Sequence, residues 1–295
     1  MKKNRLWTTL TIVFCSLITY NTMAQNERIA AITELKAKPA YRQEVENAAK
    51  KIQKDALMEN GLLEFRLNTK IDDPNTFVFY EVFENQTALD HHKKEAHTIA
   101  FGKSIEGKYA SNKVTFMHLQ MVDTSYNRGI EHIGMAVPDV NAASKFLEKA
   151  LGGVSLYDVL PENGKPFEGA ETEHELGIPK GSKIVHMRLV RIGNGPNIEL
   201  FQFANAPQKT AGGLNDIGVN HIAIYTDNIQ KSVAQFKAAG GTMLSDVHGL
   251  ANAEDGKDNR GVYGKAPWGT LIEFITYPDG VQYPASAPEK RWKPF

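Results

Sequence analysis

Two histidines and two glutamates recur at matching points of an internal repeat. Residues 129–141 read GIEHIGMAVPDVN and residues 218–228 read GVNHIAIYTDN, so His132 and His221 occupy the same place in a Gly-x-x-His-Ile phrase, 89 residues apart. Each phrase is later closed by an Ile-Glu pair, NIELFQF at 197–203 with Glu199 and LIEFITY at 271–277 with Glu273. An ionised carboxylate between apolar neighbours (Ile198 and Leu200, Ile272 and Phe274) is costly unless paired or metal-bound. A lone strand histidine is usually a satisfied core residue, but four such groups in register favour a metal centre. Two neutral imidazoles and two carboxylates make an N2O2 set suited to one divalent first-row ion, Zn, Ni, Mn, Fe or Co, with coordination positions left open.

Strand alternation decides which residues share a face. It puts His132 with Gly134 and Ala136, and His221 with Ala223 and Tyr225, while Ile133, Met135, Val137, Ile222 and Ile224 point the other way. The elements that carry these residues read as two β-α-β-β-β units. The first has strands at 130–137, 154–160, 183–192 and 197–203, a helix at 141–151, and a polar insertion at 161–181. The second has strands at 219–226, 242–247, 261–265 and 270–277, with a helix at 229–239 ended by Gly240-Gly241. Neither unit encloses a core alone; paired, they do. A pseudo-two-fold axis between them would bring the four side chains into one trough, with small residues beside each histidine leaving room for a ligand.

Upstream, residues 26–122 read as a separate β-α-β-β-α-β unit, the ferredoxin-like arrangement. Strands are expected at 28–35, 62–69, 76–83 and 113–121, a helix at 39–58 capped by Asn60-Gly61, and a second helix at 87–94 begun by Asn85. Asp72-Asp73-Pro74-Asn75 is a turn signal. The fold class is therefore α+β, with a boundary in the polar connector 123–128 and a surface-wrapping tail at 281–295.

The chain of 295 residues, 42% hydrophobic, is long enough for two domains with real cores. Residues 1–24 have the three parts of an export signal: Lys2, Lys3 and Arg5, an apolar run at 6–20, and Thr22-Met23-Ala24 before Gln25. The run is well short of the roughly 20 residues a spanning helix needs, so a cleaved signal is expected rather than a retained anchor, with no stable membrane association afterwards. Setting aside its three basic residues leaves 31 of the 34, against 34 acidic, and no basic patch; nucleic acid is not an implied partner. The one cysteine, Cys15, lies inside the run, between Phe14 and a further apolar stretch, which argues against lipidation. A thiol-free mature chain suits a periplasmic or secreted location.

Residues 61–101 resemble antibiotic biosynthesis monooxygenase domains, on Gly61 opening a strand, the Glu81, Phe83, Glu84 strand and a helix leading to His97. The resemblance implies a dimeric barrel-like fold and so a homodimer. Some members oxidise aromatic compounds without a cofactor; others degrade haem with a tryptophan where this chain has Phe83, so haem degradation is not expected. His91, His92 and His97 read as surface or helix-end histidines, and the unit as a small-molecule-binding or dimerising module.

Residues 129–280 resemble the vicinal oxygen chelate superfamily of glyoxalases, methylmalonyl-CoA epimerase, extradiol dioxygenases and antibiotic-resistance proteins. That family's His–Glu–His–Glu ligand order falls on His132, Glu199, His221 and Glu273. Extradiol dioxygenases lack a ligand at the Glu199 position, which favours the redox-neutral branch. The implied mechanism is metal chelation of two neighbouring substrate oxygens and stabilisation of an enediolate, with Glu273, or else Glu199, moving the proton. Glyoxalases commonly hold the glutathione carboxylate with an arginine where this chain has Ala136, so a glutathione adduct is not the expected substrate. Tyr225, His248 and Arg260 are further candidates for substrate contact. The reading is an exported isomerase, epimerase or lyase acting on a small oxygenated metabolite. Two alternatives stay open: an iron-dependent ring-cleaving dioxygenase, and a protein that binds a ligand without turnover.

Overall fold

A computed structural model describes residues 28–119, 129–288 and 290–294. The export signal, Cys15 and the connector 123–128 lie outside the described residues. The chain divides into two compact units between residues 126 and 127, taken separately below. No helix among the described residues is long and apolar enough to cross a membrane.

The N-terminal unit runs β1 (Ile29–Ala37), α1 (Arg42–Ala56), β2 (Leu62–Thr69), β3 (Thr76–Phe83), α2 (Gln86–His92), α3 (Ala96–Ile105) and β4 (Tyr109–His118). Its antiparallel sheet has the order β2-β3-β1-β4, the ferredoxin-like topology. The apolar stripe of α1 (Val45, Ala49, Ile52, Ala56) buries against Leu35, Phe65, Phe77 and Phe79. The β2–β3 turn closes as its residues dictate, with Asp73 accepting hydrogen bonds from Asn75 N at 3.3 Å and Thr76 Oγ1 at 2.8 Å. Asn85 caps α2 by accepting from Ala88 N at 3.0 Å.

Two expectations need correcting. Helix α1 ends at Ala56, so Asn60-Gly61 is not its cap. Gly61 (φ +86°) serves the turn into β2, where a Cβ would lie 2.6 Å from the Ala88 Cβ. Gly61→Ala should therefore cost at least roughly 1–2 kcal/mol for the left-handed backbone alone, read as a lower urea midpoint for the N-terminal unit. Helix α3 was not expected, because Thr98, Ile99 and Gly102 weaken its propensity; it is held by Ile105 and by Phe101 against Phe79, ring centroids 5.7 Å apart.

The C-terminal unit comprises β5 (His132–Ala136), α4 (Val140–Leu151), β6 (Val154–Leu160), α5 (Ala170–Leu176), β7 (Lys183–Arg191), β8 (Asn197–Ala204), β9 (His221–Tyr225), α6 (Ile229–Ala238), β10 (Thr242–Met243), β11 (His248–Gly249), β12 (Arg260–Lys265) and β13 (Leu271–Thr276). The sheets run β5-β8-β7-β6 and β9-β13-β12-β10, with first and last strands of each repeat paired in parallel. The repeat extends to its caps: Asp139 accepts from Ala142 N at 2.8 Å, and Asn228 from Lys231 N at 3.0 Å. One core is shared, with Met135, Val137, Phe146, Leu147 and Leu200 packed with Ile222, Phe236, Ile272 and Phe274.

The expected strand at 242–247 shortens to two residues, and His248–Gly249 pairs separately with β12. The polar insertion 161–181 contains the unexpected α5. Its sequence, AETEHEL, buries no residue, so it carries no apolar periodicity to read.

Candidate active site

Alternation on β5, β8, β9 and β13 separates core from site. Ile198 and Leu200 are buried on one side of β8, and Ile272 and Phe274 on one side of β13. Glu199 and Glu273 therefore face the other side, opposite Gly134 and Ala223 in the parallel ladders. There each glutamate meets the histidine of its own repeat. His132 Nε2 lies 3.4 Å from Glu199 Oε2, and His221 Nε2 lies 3.4 Å from Glu273 Oε2. The glutamate side chains are 16% and 14% exposed, the histidines 45% and 30%.

A separation of 3.4 Å is long for a hydrogen bond. It matches the spacing of two ligands on a tetrahedral ion with bonds of about 2.1 Å. Each pair fits half of a metal shell. Among the described residues, however, the four do not gather into one tight set: the cluster of three or more donors mutually within 4.8 Å lies in the N-terminal unit. The C-terminal unit thus presents two half-sites related by the repeat.

Neighbouring residues fix the histidine rings, and sequence reading missed them. Asn220 Nδ2 donates to Leu214 O at 2.9 Å, which turns Asn220 Oδ1 to His221 Nδ1, 2.7 Å away. Nδ1 must then carry a proton, which orients the ring with Nε2 towards Glu273. In the first repeat Glu131 accepts from Asn197 Nδ2 at 2.7 Å and lies 2.5 Å from His132 Nδ1. The Glu131 carboxylate, and after it the charge of Glu199, raises His132 above the ordinary histidine value. Because only neutral imidazole ligates, an ion held by His132 would compete with a proton. The signal was legible: in GIEH and GVNH the residue before each histidine is a hydrogen-bond acceptor.

Tyr263 was also missed. It sits opposite Glu273 across β12–β13 and edge-on to the His221 ring, centroids 5.4 Å apart. Burial, then the nearby Glu273 charge, raises its phenol above the ordinary value, so it remains a hydrogen-bond donor. The corresponding position of the first repeat is Leu189, opposite Glu199. The two half-sites therefore differ.

A cavity of about 670 Å³ runs between the β5 and β9 regions, lined by Gly134, Ala136, His221, Trp268 and Thr270. It is of small-molecule size, and of the four candidate ligands it reaches His221. The other proposed substrate contacts lie elsewhere. Tyr225 lines a second cavity under the tail, where Lys293 Nζ sits 4.3 Å from its ring. His248 is exposed on β11, and Arg260 donates to Asn259 O at 2.7 Å.

Known proteins carry the same patterns. The sequence pattern described as Glyoxalase/Bleomycin resistance protein/Dioxygenase superfamily matches residues 131–258. The C-terminal unit is a domain of that superfamily. The matched segment of this superfamily domain includes His132, Glu199 and His221 and stops before Glu273. The N-terminal unit is an antibiotic biosynthesis monooxygenase domain, matched over residues 28–104. A relative named 2-epi-5-epi-valiolone epimerase, from Actinomyces sp., is 24% identical over 167 residues, covering 56% of this chain and 88% of its own. Similar solved structures include a putative antibiotic biosynthesis monooxygenase from Nitrosomonas europaea, 21% identical over 32% of this chain and 91% of that one, TM-score 0.31. A putative monooxygenase from Lactobacillus acidophilus is 28% identical over 32% and 45%, TM-score 0.30.

Proposed function

We propose that the superfamily domain is a metal-dependent epimerase that inverts one stereocentre of a small oxygenated metabolite by proton removal and return. The observation that carries this is the pair of equivalent His–Glu contacts, each at 3.4 Å, on one side of the repeat. The superfamily match is consistent with isomerase or epimerase chemistry, and the name of the Actinomyces relative favours it over a lyase. His132, Glu199, His221 and Glu273 would hold a divalent ion, whose chemistry is Lewis acidity towards a substrate oxygen.

The chain's own residues supply the rest. Glu273 takes the proton from the carbon being inverted, and the conjugate acid of Glu199, at the repeat-related position, returns one to the opposite face. The protein regains its starting protonation by exchange with solvent. Tyr263, beside Glu273, donates a hydrogen bond to a substrate oxygen. Glu199 argues against the ring-cleaving dioxygenase reading. We further propose export through residues 1–24 and a homodimer, the latter suited by edge strand β4, which exposes Tyr109, Val114, Phe116 and Met117.

The test is metal analysis of protein purified without chelator, joined to NMR of 2-epi-5-epi-valiolone with the enzyme in D2O. The expected result is one metal-dependent exchange of a carbon-bound proton for deuterium, with a new diastereomer. A folded protein that binds no divalent ion at the C-terminal unit and exchanges no proton overturns the reading, and oxygen uptake with catechols replaces it with the dioxygenase.

A further inference from the structure

Of the three histidines read as surface or helix-end residues, His91 is exposed, while His92 and His97 stand at helix ends but turn inward. His92 is 7% exposed, its ring 5.2 Å from that of buried Phe83. Its Nδ1 lies 2.8 Å from Glu59 Oε1, and the same oxygen lies 2.5 Å from His97 Nε2. The Glu59 side chain is 5% exposed and that of His97 19%. Three chain segments converge here: Glu59 follows α1, His92 ends α2 and His97 starts α3.

We propose that Glu59, His92 and His97 form a metal site for a first-row divalent cation, distinct from that of the C-terminal domain. One ligand atom from each lies within 4.8 Å of the others, a two-histidine, one-carboxylate set. The second nitrogen of His92 carries an independent signature. Nε2 lies 3.4 Å from Glu81 Oε1, a carboxylate on β3 that is 11% exposed. A ligating histidine almost always gives its other N–H to a carboxylate or carbonyl, which sets the tautomer and ring angle. Glu81 stands on the side of the ring where that acceptor belongs, 3.4 Å being long for a hydrogen bond until the ring seats on an ion, and a surface hydrogen-bond latch would need no buried second carboxylate.

The ligand spacings of 2.5 and 2.8 Å widen by about 0.6–0.9 Å to admit a tetrahedral ion. Glu59, in the turn three residues past α1, is placed to absorb that change. Coordination is not closed: a cavity of about 710 Å³, lined by Met58, Glu59, Gly61, Glu84, His91 and His97, meets the site. The centre therefore admits a small oxygen-donor ligand beside the ion.

The full chain carrying His132→Ala and His221→Ala isolates this site. After dialysis against chelator, Co(II) titration followed by visible spectra and calorimetry should give one ion per chain. Glu59→Gln or His97→Ala added to it should weaken binding by roughly 100-fold or more, and Glu81→Gln by roughly 10- to 100-fold. No Co(II) uptake by the folded parent overturns the proposal, as does unchanged affinity in the Glu59 and His97 variants. If those variants unfold, proton NMR of the Co(II)-loaded parent decides: two strongly shifted imidazole spin systems support the site, and none overturns it. Because its ligands lie in the N-terminal unit, failure here leaves the C-terminal epimerase reading as it stands.

Discussion

Glu273→Gln should lower epimerase kcat by roughly 10²- to 10⁴-fold, the range for a positioned proton-transfer group, while the protein stays folded and metal-loaded. The substitution is nearly isosteric. The backbone either side is locked by Ile272 and Phe274, 0% and 1% exposed, so β13 has no freedom to rearrange. An amide oxygen still offers a donor to an ion, whereas an amide cannot take a carbon-bound proton. Turnover and metal content therefore separate: a base gives lost kcat with retained metal and a nearly unchanged KM, whereas a ligand alone gives lost metal. Glu199→Gln, which removes the group that returns the proton, is the companion variant. Leu189 stands opposite Glu199, where Tyr263 stands opposite Glu273, so the two glutamates do not sit in the same environment. If Glu199→Gln abolishes exchange of the substrate proton with solvent deuterium while Glu273→Gln retains it, the assignment of proton removal is reversed. Tyr263→Phe should cost less than either, since it removes one hydrogen bond and no proton acceptor.

The division between core and site was readable because it depends on a period of two. His132, Gly134 and Ala136 alternate with Ile133, Met135 and Val137, and the structure keeps that division, with Met135 and Val137 buried. The start of the helix at Asn85 was readable for the same local reason, since that side chain acts on backbone three residues away. Tyr263 was not, because its place beside His221 and Glu273 depends on the β12–β13 register, a pairing between separate strands. His92 misled in the other direction. Followed by Lys93 and Lys94 at a helix end it reads as solvent-facing, yet α2 turns it onto Phe83 and between Glu59 and Glu81. The convergence of Glu59 with His92, 33 residues on, has no local periodicity to announce it.

The largest stability effect should come from Phe236→Ala, at about 3–5 kcal/mol, a large part of the 5–15 kcal/mol typical of a whole domain. Phe236 is fully buried, edge-on to Phe146 of the other repeat at 5.4 Å and to Phe274 at 5.2 Å. It lies against two glycines: a Cβ on Gly241 would be 2.2 Å from the ring, and one on Gly264 2.7 Å. Neither glycine has a side chain to fill the space left behind, so the cavity stays and the cost falls at the upper end of the range. Trp268 packs edge-on to Phe146 at 5.3 Å, so its fluorescence during urea unfolding reports this core. The expected result is a lower midpoint for that transition with the N-terminal transition unmoved, and an unmoved Trp268 transition would refute the shared core. The loss should also reach the chemistry. Phe274, one partner of the lost ring, is the residue after Glu273, and Ile222, in the same core, is the residue after His221. A core that repacks on one side of these strands shifts the ligands on the other, so metal affinity should fall along with stability. A stability loss with full metal affinity would mean that the half-sites are held by their own contacts, Asn220 to His221 and Glu131 to His132, rather than by the core beneath them.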